Sequence, residues 1–404
     1  MKKQETQLKL SEEQLQIAIQ DQISEPGGLH NVYEMLINGL MYCERQAYLK
    51  DQPEGINKAN GYRQISKSGI GSKLSLQIPR DRLGVFKPVI LGMINEQEEK
   101  IKDLCFNLYG KGLTTRQIEK VIDDIYGGGY SKSSVSRITT DFTELIDQWR
   151  QRELESRYLV IYIDAFHQKV RRDVVKSEAF YIILGVKEDH TREVLSVVNM
   201  PQESAQGWEM NLRALKNRGV EQVSLFVSDD LTGISEAIGK VYGHSSHQSC
   251  ILHFQRNINS HIRKKDRADF SEELKKVFNP DEKSYTVDNA ILNFKKVMSN
   301  WADKYPKMKR YREKPDLEKY FTYLKYDYRI RRMIYTTNWI ERLNKSFRRT
   351  LKMRNALPNI QSAITLIGFV AMEMEQGAYC YPISNFKFDK LLTKQLEVNS
   401  GKPT

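Results

Sequence analysis

Three acidic residues, far apart in the chain, have the types and local settings of divalent-metal ligands. Asp164 and Asp229 stand at or just past the C-terminal ends of two apolar runs that predict β-strands, and Glu341 lies in a helical pattern. If the two strands are neighbours, their carboxylates converge at one edge of a sheet, where a covering helix can bring the third. Carboxylate oxygens are the ligands that Mg²⁺ and Mn²⁺ prefer. Two such ions activate the attacking oxygen and stabilise the leaving oxygen in phosphodiester transfer, so the pattern predicts that chemistry.

The helix that carries Glu341 has two interpretations. In residues 336–351 the apolar side chains share one arc, and either Thr336 or Thr337 is expected as the N-cap. The opposite arc and its edges are polar and hold Asn338, Glu341, Arg342, Lys345, Arg348 and Arg349. That face is either a solvated surface with ion pairs one turn apart or a metal-binding carboxylate beside cations that contact phosphates. A single strand-end aspartate more often caps a turn or helix, but two of them with a helical glutamate and excess positive charge favour the second interpretation.

The composition is that of a globular protein with a polyanionic partner. The 404 residues are 40% hydrophobic and 28% charged, with a formal net charge of +12 and a pI near 9.2. This basic balance favours nucleic acid as the partner. The chain has no apolar run long enough to span a membrane, and no signal peptide follows its Lys-rich start. Four scattered cysteines without a Cys-x-x-Cys pair indicate a reducing, cytoplasmic compartment.

A change of hydrophobic period near residue 155 marks the start of a mixed sheet. The β-rich runs are residues 158–163, 179–186, 193–199, 222–227 and 248–252, with amphipathic helices at 204–218 and 233–242. Three strands, a helix, a strand, a helix and a strand form the order of a ribonuclease-H-like fold, an α+β mixed five-stranded sheet with flanking helices. Residues 253–335 break this alternation and predict an all-helical insertion.

Upstream of the sheet, residues 96–150 predict two helices joined by glycines. A capping box at Thr114 and Gln117 opens the first helix, and Ser131 opens the second. This is the plan of a helix-turn-helix, whose second helix enters the major groove of DNA. The outward face of that second helix is polar and basic, with Lys132, Ser133, Ser134, Ser136 and Arg137.

The segment before the helix-turn-helix combines apolar helical patterns with a basic ribbon. Two such helices ahead of residue 52 favour packing on each other or on a second subunit. Residues 57–88 hold seven Lys or Arg, one acid and four glycines, and Leu74, Leu76 and Ile78 alternate with polar residues. The alternation predicts a strand or hairpin, which either follows a phosphate backbone or is a basic surface loop.

A cluster of histidines and a cysteine needs a separate interpretation. His244, His247, Cys250 and His253 recur every third residue, and such side chains can bind zinc. The segment crosses from loop to strand to helix, however, where a three-residue step does not keep side chains on one face. We therefore expect His253 near the carboxylates, contacting DNA or orienting the scissile phosphate, and Cys250 buried beside it.

These motifs, in this order, resemble those of the Mutator-type transposases of bacterial insertion sequences over roughly residues 30–375. The core motifs are Asp164-Ala165-Phe166-His167 with Lys169 and Arg171, Glu203-Ser204 with Trp208, Arg218-Gly219, Ser228-Asp229 with Gly233, Cys250-x-x-His253-Phe254 with Arg256-Asn257, and Thr337-Asn338-x-Ile340-Glu341-Arg342. The upstream motifs are Gly61-Tyr62-Arg63, Pro79-Arg80-Asp81-Arg82 and Ser134-Val135-Ser136-Arg137. Each is weak alone, and together they are highly specific.

The resemblance implies that Asp164, Asp229 and Glu341 are a catalytic triad that holds two Mg²⁺ or Mn²⁺ ions. It selects Asp229 over Asp230, although the residues after the serine-aspartate pair depart from the family pattern and leave the two aspartates as alternatives. Accessory positions are His253, Cys250 and Asn338. Expected DNA contacts are Arg80, Arg82, Lys132, Ser134, Ser136, Arg137, Lys169, Arg171, Arg342, Lys345, Arg348 and Arg349.

The expected layout has six parts. They are 1–95, a helical and basic region for dimerisation and DNA binding; 96–153, the helix-turn-helix; 154–260, the first part of the ribonuclease-H-like core; 261–334, the helical insertion; 335–378, the second part of the core with Glu341; and 379–404, a tail.

The expected function is a DNA transposase that binds terminal inverted repeats, nicks DNA and joins the freed 3′-hydroxyl to a second phosphodiester. The resemblance implies a copy-out, paste-in route, a homodimer on double-stranded DNA and a bacterial, nucleoid-associated location. The alternatives are a catalytically inactive DNA-binding derivative and a nuclease of the same fold that only hydrolyses DNA.

Overall fold

The computed structural model describes residues 20, 28–53, 55–69, 72–126, 132–171 and 173–384. Contacts within the chain divide it into two compact units, Met1–Phe142 and Thr143–Thr404. Among the described residues, no helix combines the length and apolar character that crossing a membrane requires. The first expected helix, before residue 20, and the end of the tail, from residue 385, lie outside the described residues.

The N-terminal unit contains a β-hairpin with helices around it. Its elements are α1 (Gly28–Lys50), β1 (Ala59–Gly69), β2 (Ser72–Asp81), α2 (Val89–Gly110) and α3 (Thr115–Tyr126). The two strands pair antiparallel, and Leu74 and Leu76 of β2 are buried in a cluster with Ile37 and Met41 of α1. The hairpin expected from alternation is therefore confirmed.

The two helices expected around the glycine turn are present. The Thr114 hydroxyl accepts a hydrogen bond from the Gln117 backbone N–H at 3.3 Å, and the Thr114 N–H donates to the Gln117 side chain at 2.8 Å. This is the reciprocal pair of a capping box at the start of α3. The second helix, α4 (Lys132–Gln151), has 20 residues, and the boundary between the two units falls within it. The turn itself, residues 127–131, lies outside the described residues.

The C-terminal unit contains a five-stranded mixed sheet. Its strands are β3 (Arg157–Arg171), β4 (Val175–Val186), β5 (Arg192–Asn199), β6 (Gln222–Ser228) and β7 (Ser246–Ser249). Their order is β5-β4-β3-β6-β7. The first three strands of the chain pair antiparallel, whereas β6 runs parallel to β3 and β7 runs parallel to β6. The expected mixed sheet of five strands is therefore present.

Two helices cover one face of the sheet. They are α5 (Ala205–Asn217) and α6 (Ile234–Val241). Trp208 of α5 is fully buried in the cluster that α5 and α6 form with the sheet. The Ser204 side chain caps α5 by accepting from the Gly207 N–H at 3.1 Å. Gly233, ahead of α6, has a φ of +80°, and a Cβ there would lie 2.4 Å from the backbone nitrogen of Ala205.

Two strand ends differ from the sequence prediction. β3 does not stop at residue 163 but continues to Arg171, because its antiparallel pairing with β4 extends that far. Asp164 is therefore inside a strand rather than at its end. The fifth strand ends at Ser249, three residues earlier than expected, because α7 (Ile251–Ser260) begins there with Cys250 at its N-cap position.

The chain between β7 and the helix of Glu341 is helical, as expected. After α7 come α8 (Arg267–Val277), α9 (Val287–Ala302), α10 (Lys307–Arg312) and α11 (Tyr328–Ile334), with short 3₁₀ turns between them. Aromatic rings form its interior: Phe254 stacks on Tyr320 at 3.8 Å between centroids, and Phe278 stacks on Phe321 at 5.0 Å.

Two further helices complete the C-terminal unit, α12 (Asn338–Lys352) and α13 (Ile360–Gln376). The Phe347 ring of α12 lies 5.9 Å from that of Phe166 in β3. Phe166 and Asp164 are two residues apart in one strand, so their side chains share a face of the sheet. That face is the one α12 covers.

Candidate active site

Asp164 and Asp229 meet where β6 ends beside β3. Ile163 of β3 is paired with Ser228, the last residue of β6, so the two aspartates follow in register. Neighbouring strands lie about 4.8 Å apart. Because β6 stops there while β3 continues, the sheet opens beside Asp164 and leaves room for a cleft.

The Asp164 carboxylate is almost completely buried, with 4% of the residue exposed. Its oxygens accept hydrogen bonds from the Ala165 backbone N–H at 2.8 Å and from Asn344 Nδ2 at 2.7 Å. Burial, together with the negative charge of Asp229, raises the pKa of Asp164 to about 7. A carboxyl group in this setting ionises readily only when a positive charge is supplied beside it.

Asp229 faces a cation from α7. His253 Nδ1 lies 2.6 Å from Asp229 Oδ1, and hydrogen bonds to Asp229 and Cys250 raise the pKa of His253 to about 10. Thr337 Oγ1 lies 3.4 Å from both Asp229 Oδ1 and Cys250 Sγ. Thr337 occupies the N-cap position of α12, but its side chain makes no capping hydrogen bond, so the expected role of that hydroxyl is corrected.

Glu341 reaches the same cleft from α12. The apolar arc of that helix is buried, which leaves Glu341 at the rim with 27% of its side chain exposed. Arg256 Nη1 of α7 lies 3.7 Å from Glu341 Oε1. Lys345 and Arg348 follow Glu341 by one and two turns and are exposed. The cleft, of about 270 Å³, is lined by Asp164, Ala165, Asp229, His253, Arg256, Glu341, Lys345 and Arg348.

Asp230, the alternative second ligand, is held outside the cleft. Its carboxylate accepts hydrogen bonds from Lys319 Nζ at 2.7 Å and from the Tyr320 hydroxyl at 2.8 Å. Although burial opposes the effect, these bonds lower the pKa of Asp230. The geometry thus pairs Asp229, and not Asp230, with Asp164.

Glu203, whose contact with the site the sequence leaves open, supports the loop after β6. Its carboxylate accepts from the Tyr181 hydroxyl and from the Thr232 backbone N–H, both at 2.9 Å. Both oxygens are therefore engaged in joining β4 to that loop.

Other expected DNA contacts in the C-terminal unit lie around the cleft rather than in it. Among the described residues, the exposed ones outside the cleft lining are Lys169, Arg171, Asn338, Arg342 and Arg349. The Arg342 guanidinium lies 5.5 Å from the ring centroid of Trp339, where cation–π attraction holds it.

The N-terminal unit carries the remaining expected contacts. Arg80, Arg82 and Arg137 are exposed, and Arg80 lines a groove of about 460 Å³ with Arg63 and Lys87. The backbones of Lys132, Ser134 and Ser136 are in the first turns of α4, and their side chains are outside the described part of the chain.

Two residues of the site were not singled out from the sequence. Asn344 lies four residues after Ile340, on the buried arc of α12, and a polar residue on an apolar arc signals a buried partner. Its Oδ1 has no hydrogen-bond partner in the described structure. Arg256 lies three residues after His253 on α7, a spacing that places both on one helix face.

The donor atoms form two overlapping sets that share Asp229. The carboxylates of Asp164, Asp229 and Glu341 line one cleft and offer hard oxygen ligands, which fit Mg²⁺ or Mn²⁺. The ligand atoms of Asp229, Cys250 and His253 lie within 4.8 Å of one another and would suit a softer ion. The raised pKa of Asp164 shows which of the two lacks positive charge, so the carboxylate set is the better fit for a divalent cation.

Comparison with known proteins identifies the family. The family model for the Mutator family of transposases matches residues 1–379. The chain is 31% identical over 366 residues to the transposase for insertion sequence element IS1201 of Lactobacillus helveticus, covering 88% of this chain and 96% of that protein. It is 29% identical over 386 residues to the transposase for IS256 in transposon Tn4001 of Staphylococcus aureus, covering 93% and 96%. The chain therefore belongs to the Mutator family of transposases.

Proposed function

We propose that the protein is a metal-dependent DNA transposase of the DDE type, with Asp164, Asp229 and Glu341 as its metal-binding carboxylates. The observation that carries this proposal is that all three line one cleft, together with cations from two helices. The relatives that are transposases for insertion sequences place the reaction on DNA.

The fold that we propose for the core is ribonuclease-H-like. Support comes from the strand order, with the first three strands antiparallel and the fourth and fifth added parallel beside the first. The helical chain between β7 and α12 would then be an insertion that separates Glu341 from the rest of the core. This division also explains why the third carboxylate is so far along the sequence.

Each carboxylate has its own support within the cleft. Asn344 and the Ala165 N–H fix both oxygens of Asp164, so this ligand is positioned before any cation arrives. His253 holds a proton on Nδ1 against Asp229. Glu341 is the most exposed of the three and is free to approach the others when its contact with Arg256 loosens. The chemistry that two bound Mg²⁺ ions supply is Lewis-acid activation of the attacking oxygen and stabilisation of the leaving oxygen.

The cations at the rim have a role that the carboxylates cannot perform. Arg256, Lys345 and Arg348 present positive charge around the cleft, where the non-bridging oxygens of a scissile phosphate would lie. In the proposed reaction, water first attacks the phosphodiester and releases a 3′-hydroxyl. That hydroxyl then attacks a second phosphodiester, and its own leaving oxygen departs, so no covalent enzyme intermediate forms.

We assign DNA recognition to the N-terminal unit. The helix pair α3 and α4 would bind the terminal inverted repeat, with Arg137 and its neighbours at the base edges. The basic hairpin would follow the backbone through Arg80 and Arg82. The proposal includes a homodimer that brings two ends together and a copy-out, paste-in route, both on the strength of the family.

A strand-transfer assay with Mg²⁺ or Mn²⁺ on a duplex that carries the element's end tests the function. Asp164→Asn, Asp229→Asn and Glu341→Gln should each abolish nicking and joining while repeat binding is kept. Asp230→Asn is the matched control, because it removes the adjacent carboxylate outside the cleft and should keep activity. Binding without any cleavage by the unaltered protein would indicate an inactive DNA-binding derivative, and nicks without joined products would indicate a nuclease.

A further inference from the structure

The largest basic groove of the C-terminal unit lies in its helical region, outside the carboxylate cleft. It has a volume of about 720 Å³ and runs between α7 and the segment that contains α10. Its lining residues are Asn257, His261, Pro306, Lys307, Lys309, Arg310, Tyr311, Glu313, Lys314 and Pro315. We call it the α7–α10 groove.

Positive charge dominates the α7–α10 groove. Four of its lining residues are Lys or Arg, and its single acid, Glu313, is bound by Arg312 at 2.7 Å. Lys309 and Arg310 are exposed and have no carboxylate partner among the residues that the structure describes. Unpaired cations that converge on one concave surface favour a polyanion there.

His261 reports the same positive field from inside the groove. Lys307 Nζ lies 3.4 Å from His261 Nδ1. Burial, reinforced by the charges of Lys307 and Arg310, lowers the pKa of His261. The Tyr311 ring lies 5.9 Å from that of His261 and offers a half-buried aromatic face. Cations interleaved with aromatic rings are the usual lining of a nucleic-acid groove.

One helix connects this groove to the cleft. His253 and Arg256 of α7 line the cleft, and Asn257 and His261 of the same helix line the groove. At 100° per residue the four fall on one face, and the eight residues from His253 to His261 span about 12 Å. A DNA strand advances about 3.4 Å per nucleotide, so this length corresponds to about three or four nucleotides.

A second link comes from the other side of the groove. Lys314 lines the groove, and its Nζ lies 3.5 Å from Asp230 Oδ2. Asp230 directly follows the cleft residue Asp229 in the chain. The groove and the cleft are therefore joined at two places.

We propose that the α7–α10 groove binds the phosphate backbone of the DNA strand about three to four nucleotides from the scissile phosphate. Lys307, Lys309 and Arg310 contact phosphate oxygens, and Tyr311 provides a face for a sugar or base. The inference rests on the proposed function for what lies in the cleft, whereas polyanion binding by the groove does not depend on it.

The first test is the salt dependence of binding to an end duplex, followed by fluorescence anisotropy in EDTA. The double variant Lys309→Gln, Arg310→Gln removes two groove cations, and Lys295→Gln, Lys296→Gln removes two exposed cations of α9 outside the groove. Two lost phosphate contacts lower the slope of log K against log salt by about 1.8 and weaken binding about 30-fold at 0.15 M salt. The control pair should leave both unchanged. Equal losses in both pairs, or no loss in the groove pair, overturn the proposal.

The second test maps the contact. Duplexes with one photoreactive nucleotide at successive positions from the cleavage point are crosslinked to the full-length protein, and the labelled peptide is sequenced. Residues 307–315 should be labelled most strongly from about the third and fourth positions. Labelling of that peptide only from distant positions, or not at all, refutes the groove assignment.

The same preparations separate this inference from the proposed function. The Asp164→Asn protein should keep the crosslinks while it loses strand transfer. If the unaltered protein crosslinks as expected but never cuts DNA, the proposed function fails and the groove stands. If it cuts and joins DNA but the groove variants behave as the controls do, the groove assignment fails alone.

Discussion

Removal of the negative charge at Asp164 should stabilise the metal-free protein at neutral pH. The folded-state pKa of Asp164 is raised from 3.8 to about 7, chiefly by burial and then by the charge of Asp229. The folded protein therefore binds this proton more tightly than the unfolded chain does. Stability that is present in acid is lost as the pH rises from the unfolded pKa through the folded one.

The size of the effect follows from the two pKa values. A shift of one pKa unit corresponds to about 1.4 kcal/mol. Between about pH 5 and about pH 7.5, Asp164 should cost the metal-free protein on the order of 2.5 kcal/mol of unfolding free energy. Asp164→Asn keeps the shape of the side chain, and its amide can donate to the unpartnered Oδ1 of Asn344. Its stability should therefore lack this part of the pH dependence.

Urea unfolding in EDTA, followed by circular dichroism at several pH values, measures the difference directly. The variant should gain stability over the unaltered protein as the pH rises, and saturating Mg²⁺ or Mn²⁺ should remove the advantage. Asp230→Asn is the control with the opposite sign, because the pKa of Asp230 is lowered and its charge stabilises the fold. Parallel pH curves for the Asp164→Asn and unaltered proteins would refute the assignment of a shared, charge-deficient pair.

Three further substitutions test separate parts of the C-terminal unit. Asn344→Leu removes the only side-chain donor to Asp164 shown in the structure, and we expect divalent-metal affinity, measured by Mn²⁺ titration, to fall about 10- to 100-fold. His253→Gln should lower stability in EDTA most below about pH 6.5, with the deficit shrinking toward pH 10, because the raised pKa of His253 stabilises only its protonated form. Gly233→Ala should cost more than about 2 kcal/mol in urea unfolding, since its φ is +80° and its Cβ would meet the neighbouring backbone, whereas Gly239→Ala, in an open helical position, should gain about 0.5–1 kcal/mol.

Much of the scaffold was predictable because it depends on local pattern. Alternation located all five strands of the sheet, and the helical arc of α12 placed its apolar residues on the sheet and Glu341 at the rim. The prediction that the strands of Asp164 and Asp229 are neighbours is confirmed by the register of β3 against β6. The hairpin of the N-terminal unit and the capping box at Thr114 were equally local and are also present.

The parts that escaped prediction depend on pairing between distant segments. Asp is uncommon in strands, so the sequence ended β3 at Asp164, but pairing with β4 carries the strand onward. The separate fates of Asp229 and Asp230 depend on Lys319 and Tyr320, about 90 residues later. Such partners cannot be read from a local pattern. Asn344 was within reach of a helical plot, because its position among apolar residues already required a buried acceptor or donor.

The charges of the cleft indicate that metal and DNA should bind it cooperatively. Without a metal ion each acid has another source of compensation: a proton at Asp164, His253 at Asp229 and Arg256 at Glu341. A divalent ion that takes over these carboxylates leaves the protein cations without partners, and the phosphates of DNA are then the anions available to pair with them. Each ligand therefore makes binding of the other more favourable, and the coupling must be reciprocal. Mn²⁺ affinity should rise when an end duplex is present and should rise less in Arg256→Gln, where one of these cations is missing. Equal Mn²⁺ affinity with and without DNA in the unaltered protein would mean that the rim cations and the carboxylates act independently.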